Sequence, residues 1–304
     1  MTKIFIIILN FNGWQNTIKC LSSIKKLNAQ KNIKVEPLVV DNASSDDSVK
    51  EIKGKFPELL IIGNQINLGF TGGCNEGIRL ALKNGADFVM LLNNDTIVHK
   101  DLVKNLLGTF EHDAVGAVVP KIYFEAGFEF HKNRYKDSEK GKVIWYAGGK
   151  MDWDNLIGKN IGVDQVDQGQ FDVRMETDLA TGCCFILRSD VLKNAGMLDD
   201  RYFLYYEDAD FSERLKRAGY KIIYEPNAIV WLKNAESSGG SGSDLQDYYI
   251  TRNRLLFGMS YAPMRTKFAL FRESFNLIRI GRPWQKRGIR DFYLRRFGRG
   301  AFPI

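Results

Sequence analysis

The stretch KIFIIILN, residues 3–10, is an unbroken run of large apolar side chains closed by an asparagine. A strand with one wet face alternates apolar and polar residues. This one does not, so it is expected to be buried on both faces, as strands are in a parallel sheet covered by helices. The flanking sequence agrees. NTIKCLSSIKKL (16–27) sets Ile18, Leu21, Ile24 and Leu27 on one helical stripe. VEPLVVDN (35–42) is a second strand, and SSDDSVKEIKGKF (44–56) opens with Ser and Asp residues suited to capping a helix. LLIIGN (59–64) is a third strand, CNEGIRLALKNG (74–85) a helix closed by Gly85, and DFVMLLNND (87–95) a fourth strand. The βαβαβαβ order predicts an α/β fold with a mainly parallel sheet sandwiched by helices.

Ligands bind such sheets beyond the carboxyl ends of the strands. The polar residues there are Asn10 and Asn12, Asp41 and Asn42, Asn67, and Asn93, Asn94 and Asp95. Each alone is an ordinary turn or cap residue. Four groups on one rim predict a binding site.

Beyond about residue 120 the pattern loosens. FEAGFEFHKNRYKDSEKGK (124–142) is polar and predicts a surface excursion. LATGCCFILRSDVLKNAG (179–196) predicts a strand and a short helix, and YKIIYEPNAIVWL (220–232) further strand. SSGGSGS (237–243) is either a lid over a bound ligand or an ordinary surface loop. Between them, FLYYEDADF (203–211) leads into a helix that runs through Ala218, with Gly219 as its cap. It crowds Glu207, Asp208 and Asp210 against large apolar residues. Acids at a helix N-terminus are favoured by the dipole, by about 0.3–1 kcal/mol. Three mutually repelling carboxylates beneath an aromatic wall suit a base whose pKa is tuned by its surroundings.

With 304 residues, 44% hydrophobic and 26% charged, the chain has the composition of a globular protein with a full core. Cys20, Cys74, Cys183 and Cys184 form no CxxC pair and are expected to be reduced thiols of a cytoplasmic protein. No apolar run approaches the roughly 18 residues of a membrane span. The net charge of +7 is concentrated at the end: from Met264 onward eleven Lys/Arg face only Glu273 and Asp291, a tail of +9 on a body of −2. The tail is expected to meet an anionic partner. Phe268, Leu270, Phe271, Phe275, Leu277, Ile278 and Ile280 among its arginines suggest an anionic membrane surface, on the cytoplasmic face of the cell membrane.

Six motifs occur in order: VVDNASSDDS (39–48), NLGFTGGCNEGI (67–78), LLNNDT (91–96), ATGCCFILR (180–188), FLYYEDADFSERLKRAGY (203–220) and YYITRNRL (248–255). As an ordered set they make the chain resemble the family 2 inverting glycosyltransferases of the GT-A fold, especially the rhamnosyltransferase-like branch. The resemblance implies a Rossmann-like domain over 1–263, with a nucleotide-binding half to about 120 and an acceptor half to 263, and a basic helical extension over 264–304. It implies that Asp41 contacts the base or ribose of a nucleotide-sugar donor, and that Asn10, Asn12, Asn67, Gly69 and Phe70 line that pocket. Asn93 and Asn94 would lie on the donor side, and Asp95 would meet a Mg²⁺ or Mn²⁺ ion bridging the diphosphate. Asp208 would be the general base, supported by Glu207 and Asp210. Thr181 and Gly182 would face the acceptor, a glycan or lipid-linked sugar, and Arg252 and Asn253 would approach the diphosphate or the acceptor. The branch favours L-rhamnose carried by dTDP. Two positions depart from the pattern: Asn93 replaces the first metal-motif acid, and Leu232 stands where many relatives carry a histidine.

The alternative is a sugar-nucleotide-binding scaffold protein of a glycan-assembly complex, with weak catalysis. A dinucleotide-dependent oxidoreductase is disfavoured, because LNFNG replaces GxGxxG after the first strand. Nucleic-acid binding is disfavoured because no reader motif accompanies the basic tail.

Overall fold

The computed structural model describes residues 1–131, 133–233 and 242–303. In chain order the elements are β1 (Thr2–Asn10), α1 (Trp14–Ile24), β2 (Ile33–Asp41), α2 (Ser48–Lys55), β3 (Leu60–Gly63), α3 (Gly69–Lys83), β4 (Phe88–Asn93), β5 (Thr96–Val98), α4 (Leu102–Leu107) and β6 (Val115–Phe124). There follow β7 (Ile144–Tyr146), β8 (Gly149–Asp152), β9 (Ile157–Asn160), β10 (Met175–Glu176), β11 (Cys184–Arg188), α5 (Val191–Ala195), α6 (Glu207–Arg217), β12 (Lys221–Leu232), α7 (Asp244–Tyr261), α8 (Met264–Ile280) and α9 (Pro283–Tyr293).

One sheet runs β10-β12-β6-β11-β4-β1-β2-β3, with β5 and β7 paired at the side. Strands β3, β2, β1 and β4 are parallel, as the apolar runs predict. Past β4 the sheet is mixed, because β11 lies antiparallel between β4 and β6. Ile4 to Ile8 of β1 are at most 2% exposed, which explains their unbroken apolar character. Register builds the rim. Asn10 lies opposite Asp41, Leu9 opposite Asn93, and Leu92 opposite Cys184. The ends of β1, β2 and β4 and the start of β11 therefore share one edge.

Helix α3 begins at Gly69, five residues before the predicted start. The glycines that suggest a loop are instead the price of close packing. A Cβ on Gly77 would lie 2.5 Å from Ile7 Cγ2, and one on Gly73 2.3 Å from Leu9 Cδ1. Within 124–142 one acid turns inward: buried Glu129 accepts from Gly127 N at 2.8 Å and Gly141 N at 2.9 Å, pinning the excursion to itself.

Leu255, Leu256 and Phe257 of α7 pack with Leu270 of α8 and Ile289 of α9 in a cluster that also holds Tyr202 and Ala209. The C-terminal helices are thus docked on α7, beside the segment that carries the acids. No helix among the described residues is long and apolar enough to cross a membrane.

Candidate active site

The rim at the ends of β1 and β2 is a web of short polar side chains. Asn10, fully buried, donates from Nδ2 to Asp41 Oδ1 at 2.8 Å and accepts from Thr17 Oγ1 at 2.7 Å. Asp41 also accepts from Ser44, Oγ to Oδ1 at 2.6 Å and N to Oδ2 at 3.0 Å. Asn12, at φ 50°, accepts from Ser45 N at 2.8 Å and so closes the β1 turn onto the β2 turn. Asn42 donates to Asn67 Oδ1 at 2.8 Å and accepts from Leu68 N at 3.0 Å, which fixes the turn before α3. Asn94 Nδ2 reaches Thr17 Oγ1 at 3.1 Å. The sequence reading missed Thr17 and Ser44. The Asp41-x-x-Ser44 spacing, a common side-chain-to-backbone turn, carried the signal for the second.

Asp95 sits in the turn between β4 and β5, and its carbonyl accepts from Lys233 N at 2.9 Å. Its charge helps push the buried Cys183 thiol up, after burial itself. Leu232 pairs with Thr96 in the adjoining strand, so the apolar replacement lies next to Asp95. No group of three or more His, Cys, Asp or Glu able to hold a metal occurs among the described residues. A lone carboxylate at a strand end suits a hard cation whose other ligands are phosphate oxygens and water, not a closed protein cage.

On the other side stands α6. Asp208, partly buried, accepts from Ala209 N at 2.8 Å (Oδ1) and from Gly182 N at 3.1 Å (Oδ2). Glu207 is 6% exposed, and its Oε2 has no hydrogen-bond partner among the described residues. Burial raises Glu207 far above the ordinary carboxylate range, and the Asp208 charge adds to this. Burial also raises Asp208, and the N–H groups of Gly182 and Ala209 oppose that rise without cancelling it. A Cβ on Gly182 would lie 3.5 Å from the Phe70 ring and 3.7 Å from Glu207 Oε1, so this residue sits where the start of α3 and the α6 acids meet. Thr181 is buried next to it.

Asp210 takes a different direction. It is fully buried, accepts from Arg214 Nε and from Tyr261 OH at 2.8 Å each, and ties α6 to the end of α7. Arg252 and Asn253 correct the sequence reading. Both are 0% exposed and neither lines the rim. Arg252 Nη2 donates to Tyr202 O at 2.9 Å, and Asn253 Nδ2 donates to the carbonyls of Tyr202, Leu204 and Tyr205 at 2.8 Å. Their long polar side chains serve the backbone of the segment before the acids. That segment needs them: Phe203, Tyr205 and Tyr206 have φ of 66°, 67° and 71°. Bulky residues in this left-handed region cost of order 1–3 kcal/mol each and persist only where their surroundings hold them. The Phe203 carbonyl accepts from Phe70 N at 2.7 Å and Thr71 N at 3.3 Å, capping α3. It packs so closely that a Cβ on Gly69, itself at φ 73°, would fall 2.5 Å from it. Of the loop 237–243, residues 237–241 lie outside the described residues, and Ser243 caps α7 by accepting from Gln246 N.

Comparison with known proteins fits this geometry. The poly-β-1,6-N-acetyl-D-glucosamine synthase of Staphylococcus aureus is 26% identical over 84% of this chain and 56% of its own length. The low-salt glycan biosynthesis hexosyltransferase Agl10 of Haloferax volcanii is 24% identical over 71% of this chain and 62% of its own. The chain thus spans a little over half the length of these curated relatives. Among solved structures, GalNAc-T7 with UDP, GalNAc and Mn²⁺ superposes with a TM-score of 0.62 at 17% identity, over 91% of this chain and 55% of that one. S. aureus TarS with UDP-GlcNAc gives 0.57 at 15%, over 90% and 73%. The Pyrobaculum calidifontis mannosyltransferase PcManGT with GDP-Man and Mn²⁺ gives 0.55 at 14%, over 99% and 76%. These structures share the fold. The sequence profile of Glycosyl transferase family 2 matches residues 5–195, and the chain belongs to that family.

Proposed function

We propose that the chain moves a sugar from a nucleotide-sugar donor to an acceptor hydroxyl with inversion, Asp208 acting as general base. The observation that carries this is the contrast between two adjacent carboxylates. Glu207 is buried with Oε2 unpartnered and favours the acid form, whereas both oxygens of the partly buried Asp208 accept backbone N–H groups, which stabilise its anion against the same burial. An ionised carboxylate in hydrogen-bond reach of a hydroxyl is what an in-line displacement needs. The acceptor oxygen bonds to the anomeric carbon as the bond to the nucleoside diphosphate breaks, and the hydroxyl proton passes to Asp208.

In this reading the donor lies along Asn10, Asn12, Asp41, Asn67, Gly69 and Phe70, with Asn93 and Asn94 toward its phosphates. Thr181 and Gly182 face the acceptor. Asp95 would hold Mg²⁺ or Mn²⁺, which supplies positive charge for the departing diphosphate. Asp210 is a structural tie rather than a reacting group.

The donor we propose is dTDP-L-rhamnose, and the product a cell-surface glycan; the polysaccharide and glycan enzymes among the relatives support the second. We place the protein on an anionic membrane, reached through α8. Met264, Phe268, Phe271, Phe275 and Ile278 form one exposed stripe along this helix, 43–69% accessible, with exposed Arg265, Arg272 and Arg279 beside it. Release of nucleoside diphosphate from dTDP-rhamnose, UDP-GlcNAc and GDP-mannose tests the reading. Turnover of one donor supports it. Tight binding of a donor without release makes the chain a sugar-nucleotide-binding scaffold.

A further inference from the structure

The segment 201–206 has no ladder or helix of its own to satisfy its backbone, yet it delivers Glu207 and Asp208 to the cleft. Its carbonyls are taken one by one. Arg252 Nη2 holds those of Arg201 (3.2 Å) and Tyr202 (2.9 Å), Asn253 Nδ2 those of Leu204 and Tyr205 (2.8 Å), and the start of α3 that of Phe203. Arg252 is fully buried, and no carboxylate hydrogen-bonds to it among the described residues. Of its remaining donors, Nε serves Asn253 Oδ1 at 2.9 Å and Nη1 reaches into the C-terminal segment, to Gly298 O at 2.7 Å, and Gly298 N returns a bond to Arg201 O at 2.8 Å.

The C-terminal segment is in turn locked on α7. Tyr249 OH donates to Arg299 O at 2.9 Å, and Ala301 N donates to Tyr248 OH at 3.0 Å. Phe302 packs on both tyrosines, and the Tyr249 ring stacks on Phe203 at 5.2 Å. A buried guanidinium is costly unless all its donors are engaged. Here they join the loop, α7 and the last residues of the chain into one piece, all beyond residue 195, where the family match ends.

We infer that Arg252, seated on residues 298–302, is a positioning residue for the base: it fixes the left-handed loop 203–206 and thereby the pose of Asp208 and the start of α3. This rests on Asp208 being the base. A displacement of about 1 Å at a reacting group costs about 10²-fold in rate. The C-terminal residues therefore belong to the frame of the active site.

The test uses two full-length variants. In Arg252→Lys a point charge replaces the planar fork and cannot hold three carbonyl groups in place. In Gly300→Ala, at φ 60°, the new Cβ would lie 2.0 Å from Tyr248 OH and 2.9 Å from Arg252 Nη1, so the tail is pushed off the clamp from outside. Both should lower kcat for release from the best donor about 10- to 100-fold, with KM and the affinity for that donor's nucleoside diphosphate changed less than about 3-fold. Arg252→Met should lose more than Arg252→Lys. Independently of turnover, amide exchange at Phe70 and Thr71, whose N–H groups rest on the Phe203 carbonyl, should quicken at least about 10-fold in both variants. Unchanged exchange at Phe70 and Thr71 in folded variants overturns the inference. So does a loss of nucleoside diphosphate affinity in step with kcat, which would mark a general loss of structure. A wild-type protein that releases nothing from any donor defeats the base assignment, while the exchange result still decides the clamp.

Discussion

At the scale of single residues, neighbours decide whether a carboxyl works as acid or base. Glu207 has a folded pKa above its unfolded value because burial disfavours its charge. Its stabilising contribution is therefore complete below the ordinary carboxylate pKa of 4.5 and is lost as pH rises through the folded value. Glu207→Gln, which cannot ionise, should match wild type in melting temperature below about pH 4.5 and exceed it increasingly as pH rises from there to about 8. A constant difference across pH would mean that Glu207 is ionised in the fold. Asp95 makes a second prediction. dTDP should bind wild type more tightly with Mn²⁺ than with chelator, and Asp95→Ala should abolish that difference; equal affinities in wild type remove the metal from the account. The YYEDADF stretch showed where the acids lie but not which of them turns inward. The Asp210 ion pair with Arg214 was open to an i,i+4 reading. Its bond to Tyr261, 51 residues on, was not. Arg252 misled for a related reason: a guanidinium that serves carbonyls looks, in sequence, like one that serves phosphates.

Elements were legible where their periodicity was clean and hidden where packing overrode it. The four parallel strands follow from apolar runs. Helix α3 does not, because its glycines answer to side chains on β1 and β2 rather than to helix propensity. Gly77→Val should lower stability by about 2 kcal/mol through overpacking against Ile7. Gly54→Ala, on α2 with nothing within 4 Å of the new Cβ, should raise it by about 0.5–1 kcal/mol. Denaturant melts separate the two, and the same sign for both would refute the packing explanation. For α8 the sequence listed its apolar residues without sorting them. Leu270 faces inward at 2% exposure, whereas Phe268 and Phe275 face outward at 69% and 53%. The protein should cosediment with phosphatidylserine-containing vesicles, less so as salt rises, and Phe268→Ser with Phe275→Ser should weaken binding about 10-fold or more. Equal binding to neutral vesicles, or none to either, would assign the stripe to a protein contact.

For the whole molecule, the site is assembled from distant stretches: rim turns before residue 100, Gly182, the α6 acids, and a clamp that ends at the last described residues. Sequence order revealed the family and the rim, because strand ends in a parallel sheet face one way. It could not reveal that residues 298–302 support the loop at 201–206, since that link runs through carbonyl groups, which any residue possesses. The central claim is that Asp208 takes the acceptor proton. Asp208→Asn keeps the shape and the bond from Gly182 N but removes the base. Transfer should fall about 10²-fold or more while donor affinity stays within about 3-fold of wild type, because the base acts in the transition state. Retention of more than about a tenth of wild-type turnover by Asp208→Asn would contradict the claim.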